Sequence, residues 1–127
     1  MHITHVALWT TDLDAAAAFW QRYFDATVGA PYHSQRRAGF VSRFVSLPGQ
    51  PKAIELMCGP WVADAGADEH IGWDHLAISL GSAAAVDALA ARCQADACLL
   101  SGPRTTGDGY YEAVICMPDG TRIEITA

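Results

Sequence analysis

Two histidines and two glutamates, His5, Glu55, His75 and Glu124, are metal-ligating residue types set between apolar neighbours. They occur as a repeated pair. His5-Val6-Ala7-Leu8 matches His75-Leu76-Ala77-Ile78, and Ala53-Ile54-Glu55-Leu56 matches Arg122-Ile123-Glu124-Ile125. The histidines stand 70 residues apart (5 to 75) and the glutamates 69 (55 to 124), so two unrelated pairs keep one offset to within a residue. That regularity marks an internal duplication in which the polar residues were copied together with the core. An ionised carboxylate inside a sheet is costly unless it is paired or ligates a cation, and two together are worse. Two imidazoles and two carboxylates on one divalent cation remove the cost, and that donor set suits Zn, Ni, Co, Fe or Mn better than Ca or Mg. A lone strand His or Glu is more often an ordinary hydrogen-bonded or solvated residue; duplication at matching positions is what favours the metal. His2, His33 and His70 have no such partner and read as surface residues.

The elements that position these four residues follow from periodicity. His2 to Thr10 alternates as a half-buried strand, with Ile3, His5, Ala7 and Trp9 on one face and Thr4, Val6 and Leu8 on the other. A helix follows, opened by Thr11 and Asp14 as a capping box, with Leu13, Ala17, Trp20 and Phe24 as its core stripe and an end near Asp25. A weaker strand over Thr27 to His33 precedes two clearer ones, Gly39 to Leu47 and Lys52 to Cys58, parted by the turn Pro48-Gly49-Gln50-Pro51. The acidic stretch Gly59 to Gly72 connects the halves and has room for a short helix. The order then restarts with a strand over Trp73 to Leu80. Gly81-Ser82 opens a helix with Val86, Leu89, Ala90 and Cys93 on one face. Strands over Ala97 to Leu100, Tyr110 to Met117 and Thr121 to Thr126 complete it, the last two joined by Pro118-Asp119-Gly120. Alternation sends Ile54, Leu56, Ile123 and Ile125 toward the helices and leaves Glu55 and Glu124 on the opposite face of their strands. His5 and His75 lie opposite Val6, Leu8, Leu76 and Ile78 by the same logic, and the small Ala7 and Ala77 beside them leave room for a ligand.

Bulk properties narrow the function. A chain of 127 residues, half of them apolar, reads as one domain, 1–127, with unit one at about 1–58, the connection at about 59–72 and unit two at about 73–127. The net charge of −6 and the lack of a Lys/Arg run argue against nucleic acid. The N-terminus lacks the basic start and apolar run of a signal peptide, and no window is apolar enough for a membrane span. Cys58, Cys93, Cys98 and Cys116 have no CxxC spacing, so reduced thiols in a cytoplasmic protein are expected.

With paired β-α-β-β-β units, a His in the first strand and a Glu in the last strand of each, nearly the whole chain resembles the vicinal-oxygen-chelate superfamily. That group includes glyoxalase I, methylmalonyl-CoA epimerase, fosfomycin-resistance thiol transferases, extradiol dioxygenases and bleomycin-resistance proteins. The resemblance implies an α+β fold whose curled mixed sheets surround a central metal, and a homodimer. Thiol transferases and dioxygenases show a three-ligand pattern matching His5, His75 and Glu124, and the epimerases carry Gln in place of Glu55. Glyoxalase I carries Glu there, so the ligand set resembles glyoxalase I most. The implied chemistry is of the isomerase or lyase kind. One divalent metal, Ni, Co or Zn with Fe and Mn as further candidates, holds vicinal oxygens of a small metabolite while Glu124 or Glu55 shifts a proton through an enediolate. Glu124 is the favoured base by that resemblance.

The chain also departs from glyoxalase I. Trp9 stands where bacterial-type enzymes usually have an Arg that helps hold glutathione, and Leu56-Met57-Cys58-Gly59 lacks their Asn. The loop Ser101 to Glu112 resembles one in small bacterial members of the superfamily. Within it Arg104 can clamp an anionic substrate, and Tyr110 or Tyr111, with Trp9, can line the pocket; an ordinary Gly-rich turn with a solvated Arg is the alternative. Arg36, Arg37 and Arg43 are weaker candidates, read as surface charges. A thiol transferase, an extradiol dioxygenase or a non-catalytic drug- or metabolite-binding protein remain alternatives. Ligands from one chain or from two subunits satisfy the same pattern.

Overall fold

The protein is described here by a computed structural model covering residues 2–63 and 72–127. It divides into two compact units, Met1–Gly66 and Ala67–Ala127. Unit 1 contains β1 (Val6–Trp9), α1 (Leu13–Phe24), β2 (Thr27–Val28), β3 (Tyr32–His33), β4 (Val41–Leu47) and β5 (Gln50–Cys58). Unit 2 contains β6 (His75–Ser79), α2 (Ala83–Ala95), β7 (Leu99–Thr105), β8 (Tyr111–Cys116) and β9 (Arg122–Thr126). The five-stranded sheet runs β1-β5-β4-β2 with β3 also on β4, and the four-stranded sheet runs β6-β9-β8-β7. In each unit the first strand lies parallel to the last while the last pairs antiparallel with the one before it. The α+β reading with two β-α-β-β-β units is therefore correct.

Each helix covers one face of its own sheet. In unit 1, Ala16, Ala17, Phe19, Trp20 and Phe24 from α1 are buried with Val45, Ile54 and Leu56 from the sheet. In unit 2, Val86, Leu89, Ala90 and Cys93 are buried with Ala113, Ile115, Ile123 and Ile125. Apolar burial on this scale, roughly 25 cal/mol per Å² removed from water, is the main force holding the helices down. Val6, Leu8, Leu76 and Ile78 share those faces but are only half-buried, because β1 and β6 form sheet edges.

Several expected boundaries shift, each for a local reason. The first strand begins at Val6, so His5 sits just ahead of it. Asp12, not Thr11, caps α1: its carboxylate accepts from the backbone N–H groups of Asp14 and Ala15 at 3.0 and 2.9 Å. Phe19 and Ala16 join the helix stripe while Leu13 stays half-exposed. The strand expected over Thr27 to His33 is split at Gly29-Ala30-Pro31, with both short pieces bonded to β4. The largest change is at Ser101–Glu112. Strand β7 continues to Thr105 and only Thr106–Tyr110 turns, closed by Thr106 N–H to the Tyr110 carbonyl at 2.8 Å. Pro103 has no N–H for a ladder, and the register slips between Ser101 and Arg104 on this edge strand. Of the connection from Gly59 to Gly72, for which a short helix was allowed, residues 64–71 lie outside the described residues. All four cysteines are free thiols, and no helix among the described residues is long and apolar enough to cross a membrane.

Candidate metal centre

The face of each sheet away from its helix carries one His–Glu pair. In unit 1 the parallel register sets Ala7 beside Glu55, and His5, two residues earlier on the same face, brings Nε2 to 3.8 Å from Glu55 Oε2. In unit 2 Ala77 lies beside Glu124, and His75 Nε2 is 3.4 Å from Glu124 Oε2. The exposures of the two pairs match closely: the side chains are 39% and 20% exposed in the first pair, 38% and 17% in the second. The structure thus brings His5 to Glu55 and His75 to Glu124. Among the described residues it gathers no group of three or more His, Cys, Asp or Glu placed to hold a metal.

The spacing within each pair is informative. An N–H···O bond prefers about 2.7–3.2 Å between heavy atoms, and both pairs lie beyond that. Two ligands each about 2.1 Å from one tetrahedral cation stand about 3.4 Å apart, which the His75–Glu124 pair matches at 3.4 Å and the His5–Glu55 pair exceeds at 3.8 Å. Each pair could supply one nitrogen and one oxygen donor to a cation.

The shells around the two pairs differ. In unit 2, His75 Nδ1 and an Asp74 carboxylate oxygen are 2.8 Å apart, and Arg122 donates to the other Asp74 oxygen at 2.7 Å. With Nδ1–H donating to Asp74, the ring keeps its lone pair on Nε2, the nitrogen facing Glu124. The His75 hydrogen bond, helped by the Arg122 charge, holds the Asp74 carboxyl below its ordinary value. In unit 1 the corresponding neighbour is Thr4, whose hydroxyl is 3.4 Å from His5 Nδ1, and the His5 ring packs edge-on against Phe44 with centroids 5.4 Å apart.

Glu112, at the end of the loop Ser101 to Glu112 and within the strand expected over Tyr110 to Met117, is a residue to which the sequence reading gave no role. Strand β8 sets Glu112 and Val114 on the same face as Glu124 and Thr126, with Ala113 and Ile115 pointing to the helix. Its side chain is 8% exposed, and Arg104, its cross-strand partner, donates to one carboxylate oxygen through Nε at 3.3 Å and Nη2 at 3.0 Å. Burial raises the Glu124 carboxyl above its ordinary value and the nearby Glu112 charge adds to the rise, while His75 opposes it. Period-two alternation through Glu112-Ala113-Val114-Ile115, inside the strand expected over Tyr110 to Met117, was the signal available for placing Glu112 on the face of Glu124.

The remaining predicted residues scatter. Arg104 is engaged by Glu112, with its side chain 63% exposed. Tyr110 sits exposed in the turn. Tyr111 points the other way: its hydroxyl donates to Asp87 on α2 at 2.6 Å, so it belongs to the helix face and not to the face of His75 and Glu124. Arg43 is likewise on the helix side, bonded to the Gly29 carbonyl at 3.0 Å and Asp14 at 3.2 Å. Trp9 follows Ala7 on the helix-free side of β1 and packs edge-on against Phe40 and Trp61, with Arg37 beside all three rings. His2 and His33 are exposed, as expected; His70 lies outside the described residues.

Over residues 2–125 the chain matches the Glyoxalase/Bleomycin resistance protein/Dioxygenase superfamily, and it belongs to that superfamily. A protein of Pseudomonas aeruginosa, the uncharacterized protein PA2024, is 35% identical over 115 residues, covering 86% of this chain and 76% of the relative. Among solved structures, a glyoxylase/bleomycin resistance protein/dioxygenase domain from Frankia sp. superposes with a TM-score of 0.83 at 19% identity, covering 99% of this chain and 96% of that one. The fosfomycin resistance protein FosX of Listeria monocytogenes, in complex with Mn(II) and sulfate, gives 0.71 at 20% identity, with 99% and 91% covered. A glyoxalase I variant from Zea mays gives 0.76 at 20% identity, with 98% of this chain matching 43% of that longer one.

Proposed function

We propose that the chain is a divalent-metal-dependent isomerase or lyase of the glyoxalase I type, with His5, Glu55, His75 and Glu124 as ligands of one cation and a small vicinal-oxygen metabolite as substrate. The observation that carries this reading is the duplicated pair: two His–Glu couples, at 3.8 and 3.4 Å, both longer than an ordinary hydrogen bond and the second spaced as co-ligands of a tetrahedral cation. The cation, Ni, Co or Zn by ligand type, supplies Lewis acidity that makes a proton beside a carbonyl easier to remove. Glu124 is the proton carrier. Burial and Glu112 raise its affinity for a proton, so it can take one from a weakly acidic carbon and return it at the adjacent position. Asp74 orients His75 so that its Nε2 lone pair is available, and Arg104 keeps the Glu112 carboxylate in place. The chain acts as one domain, in a cytoplasmic homodimer; a single peak at twice the chain mass in size-exclusion chromatography with light scattering checks the assembly.

Metal content of untagged protein by mass spectrometry tests the centre, comparing wild type with Glu55→Ala and Glu124→Ala, followed by turnover of the methylglyoxal–glutathione adduct. About one metal per chain, lost in both variants, is the expected result. No bound metal, and none taken up on addition of Ni, Co, Zn, Fe or Mn, would sink the proposal in favour of a metal-free binding protein.

A further inference from the structure

Unit 1 has a second group of side chains that the proposed chemistry does not use. Trp9, Phe40 and Trp61 stand edge to edge, Trp9 at 6.1 Å from Phe40 and 6.4 Å from Trp61 with interplanar angles of 90° and 84°. The Arg37 guanidinium lies 3.8 Å from the Trp61 ring centroid, 5.5 Å from Trp9 and 6.0 Å from Phe40. Three features hold this group in place. A Cβ on Gly59 would come within 2.5 Å of the Trp61 ring, so only glycine lets that indole fold back on the strand end. Gly39 has φ +81° and its missing Cβ leaves the space that Pro60 fills. The turn carrying Arg37 is closed by Ser34, whose hydroxyl accepts from the N–H groups of Arg36 and Arg37 at 3.2 and 3.0 Å, and by Phe40 N–H to the Arg37 carbonyl at 3.0 Å.

The group is held but not covered. Trp9 and Trp61 remain 42% and 41% exposed. Among the described residues the guanidinium meets aromatic rings and no carboxylate or carbonyl. In a chain with net charge −6, a guanidinium fixed by π contacts is preorganised to present its N–H fork to a planar anion. The indole surfaces next to it suit a flat ring. Trp9 pairs with Met57, two residues along β5 from Glu55, so the cluster begins about 7 Å from the candidate ligand on the same face.

We propose that Arg37, Trp9, Phe40 and Trp61 form a binding subsite for an aromatic carboxylate, the carboxylate on the guanidinium and the ring against the indoles. Resting on the metal-centre reading, this defines the substrate class: a vicinal-oxygen metabolite whose distal part is an anionic aromatic group, in place of the glutathione moiety. The site is tested on the full-length ¹⁵N-labelled chain by titrating naphthoate, and separately naphthamide, while following the four indole N–H signals. Naphthoate is expected to move the signals of Trp9 and Trp61 and to leave that of buried Trp20 still. Naphthamide, or naphthoate with Arg37→Gln, should bind at least about tenfold more weakly, as should naphthoate with Trp61→Leu. Arg37→Lys should fall between, and Arg36→Gln should match wild type. Equal binding of acid and amide, or unchanged affinity in Arg37→Gln with the Trp20 signal in its native place, overturns the proposal. Glu124→Gln separates the two readings. Loss of metal with naphthoate binding within about twofold of wild type leaves this subsite standing whatever becomes of the centre, and intact metal with no naphthoate response defeats the subsite alone.

Discussion

The two helix-free sheet faces carry the same His–Glu pair at the same strand positions, and almost nothing else about them is alike. Around His5 and Glu55 the register places Thr4, Trp9, Ser42, Phe44, Ala53 and Met57. Around His75 and Glu124 the equivalent positions hold Asp74, Ser79, Glu112, Val114, Arg122 and Thr126. One pair has an aromatic and apolar surround; the other sits in a web of charges that runs from Arg122 through Asp74 to His75, and from Arg104 through Glu112 toward Glu124. Duplication kept the ligands and let their neighbours diverge. On our proposal the charged half manages the proton and the aromatic half grips the organic part of the substrate.

That contrast can be attacked where its electrostatic cost is greatest. Arg104→Ala strands the buried Glu112 carboxylate beside Glu124 and is expected to lower stability by about 2–3 kcal/mol in urea denaturation. Adding Glu112→Gln to that variant should restore most of the loss, because the repulsion leaves with the charge. Ser42→Ala at the equivalent position of unit 1 should cost under about 1 kcal/mol. Equal effects at the two positions would mean that the charge web has no energetic standing. Next come the residues that precede the histidines. Asp74→Ala is expected to weaken metal affinity about 10–100-fold, whereas Thr4→Ala, which removes only a 3.4 Å contact, should cost less than about threefold; metal titration against a competing chelator reads both. The smallest effects belong to the helix starts. Asp12→Ala removes two caps and should cost about 1 kcal/mol or slightly more. Ser82→Ala removes one, at 3.2 Å, and should cost about 0.5–1 kcal/mol. Thr11→Ala should be close to neutral, which distinguishes the observed cap from the capping box expected at Thr11.

Much of the fold was legible because its signals are local and repeated. Two-residue alternation located β1, β5, β6 and β9, and the stripe Val86, Leu89, Ala90 and Cys93 of α2 proved to be the buried one. Where the reading failed, a weak local signal had misled it. Gly102 and Pro103 made β7 look like loop, although an edge strand tolerates both by slipping register. Tyr111 looked like a pocket residue until β8 turned its side chain to α2, where Asp87 takes its hydroxyl.

By itself the sequence determined the duplicated plan, the four candidate ligands and the face on which Glu55 and Glu124 lie, because strand periodicity is a property of neighbouring residues. Only the tertiary structure decided what surrounds them. Glu112 reaches the Glu124 face, Arg104 settles on Glu112, and Arg37 comes to rest among Trp9, Phe40 and Trp61, all through cross-strand register and loop closure. Those contacts join residues whose spacing along the chain carries no period, so the difference between the two halves appears only once the strands are paired.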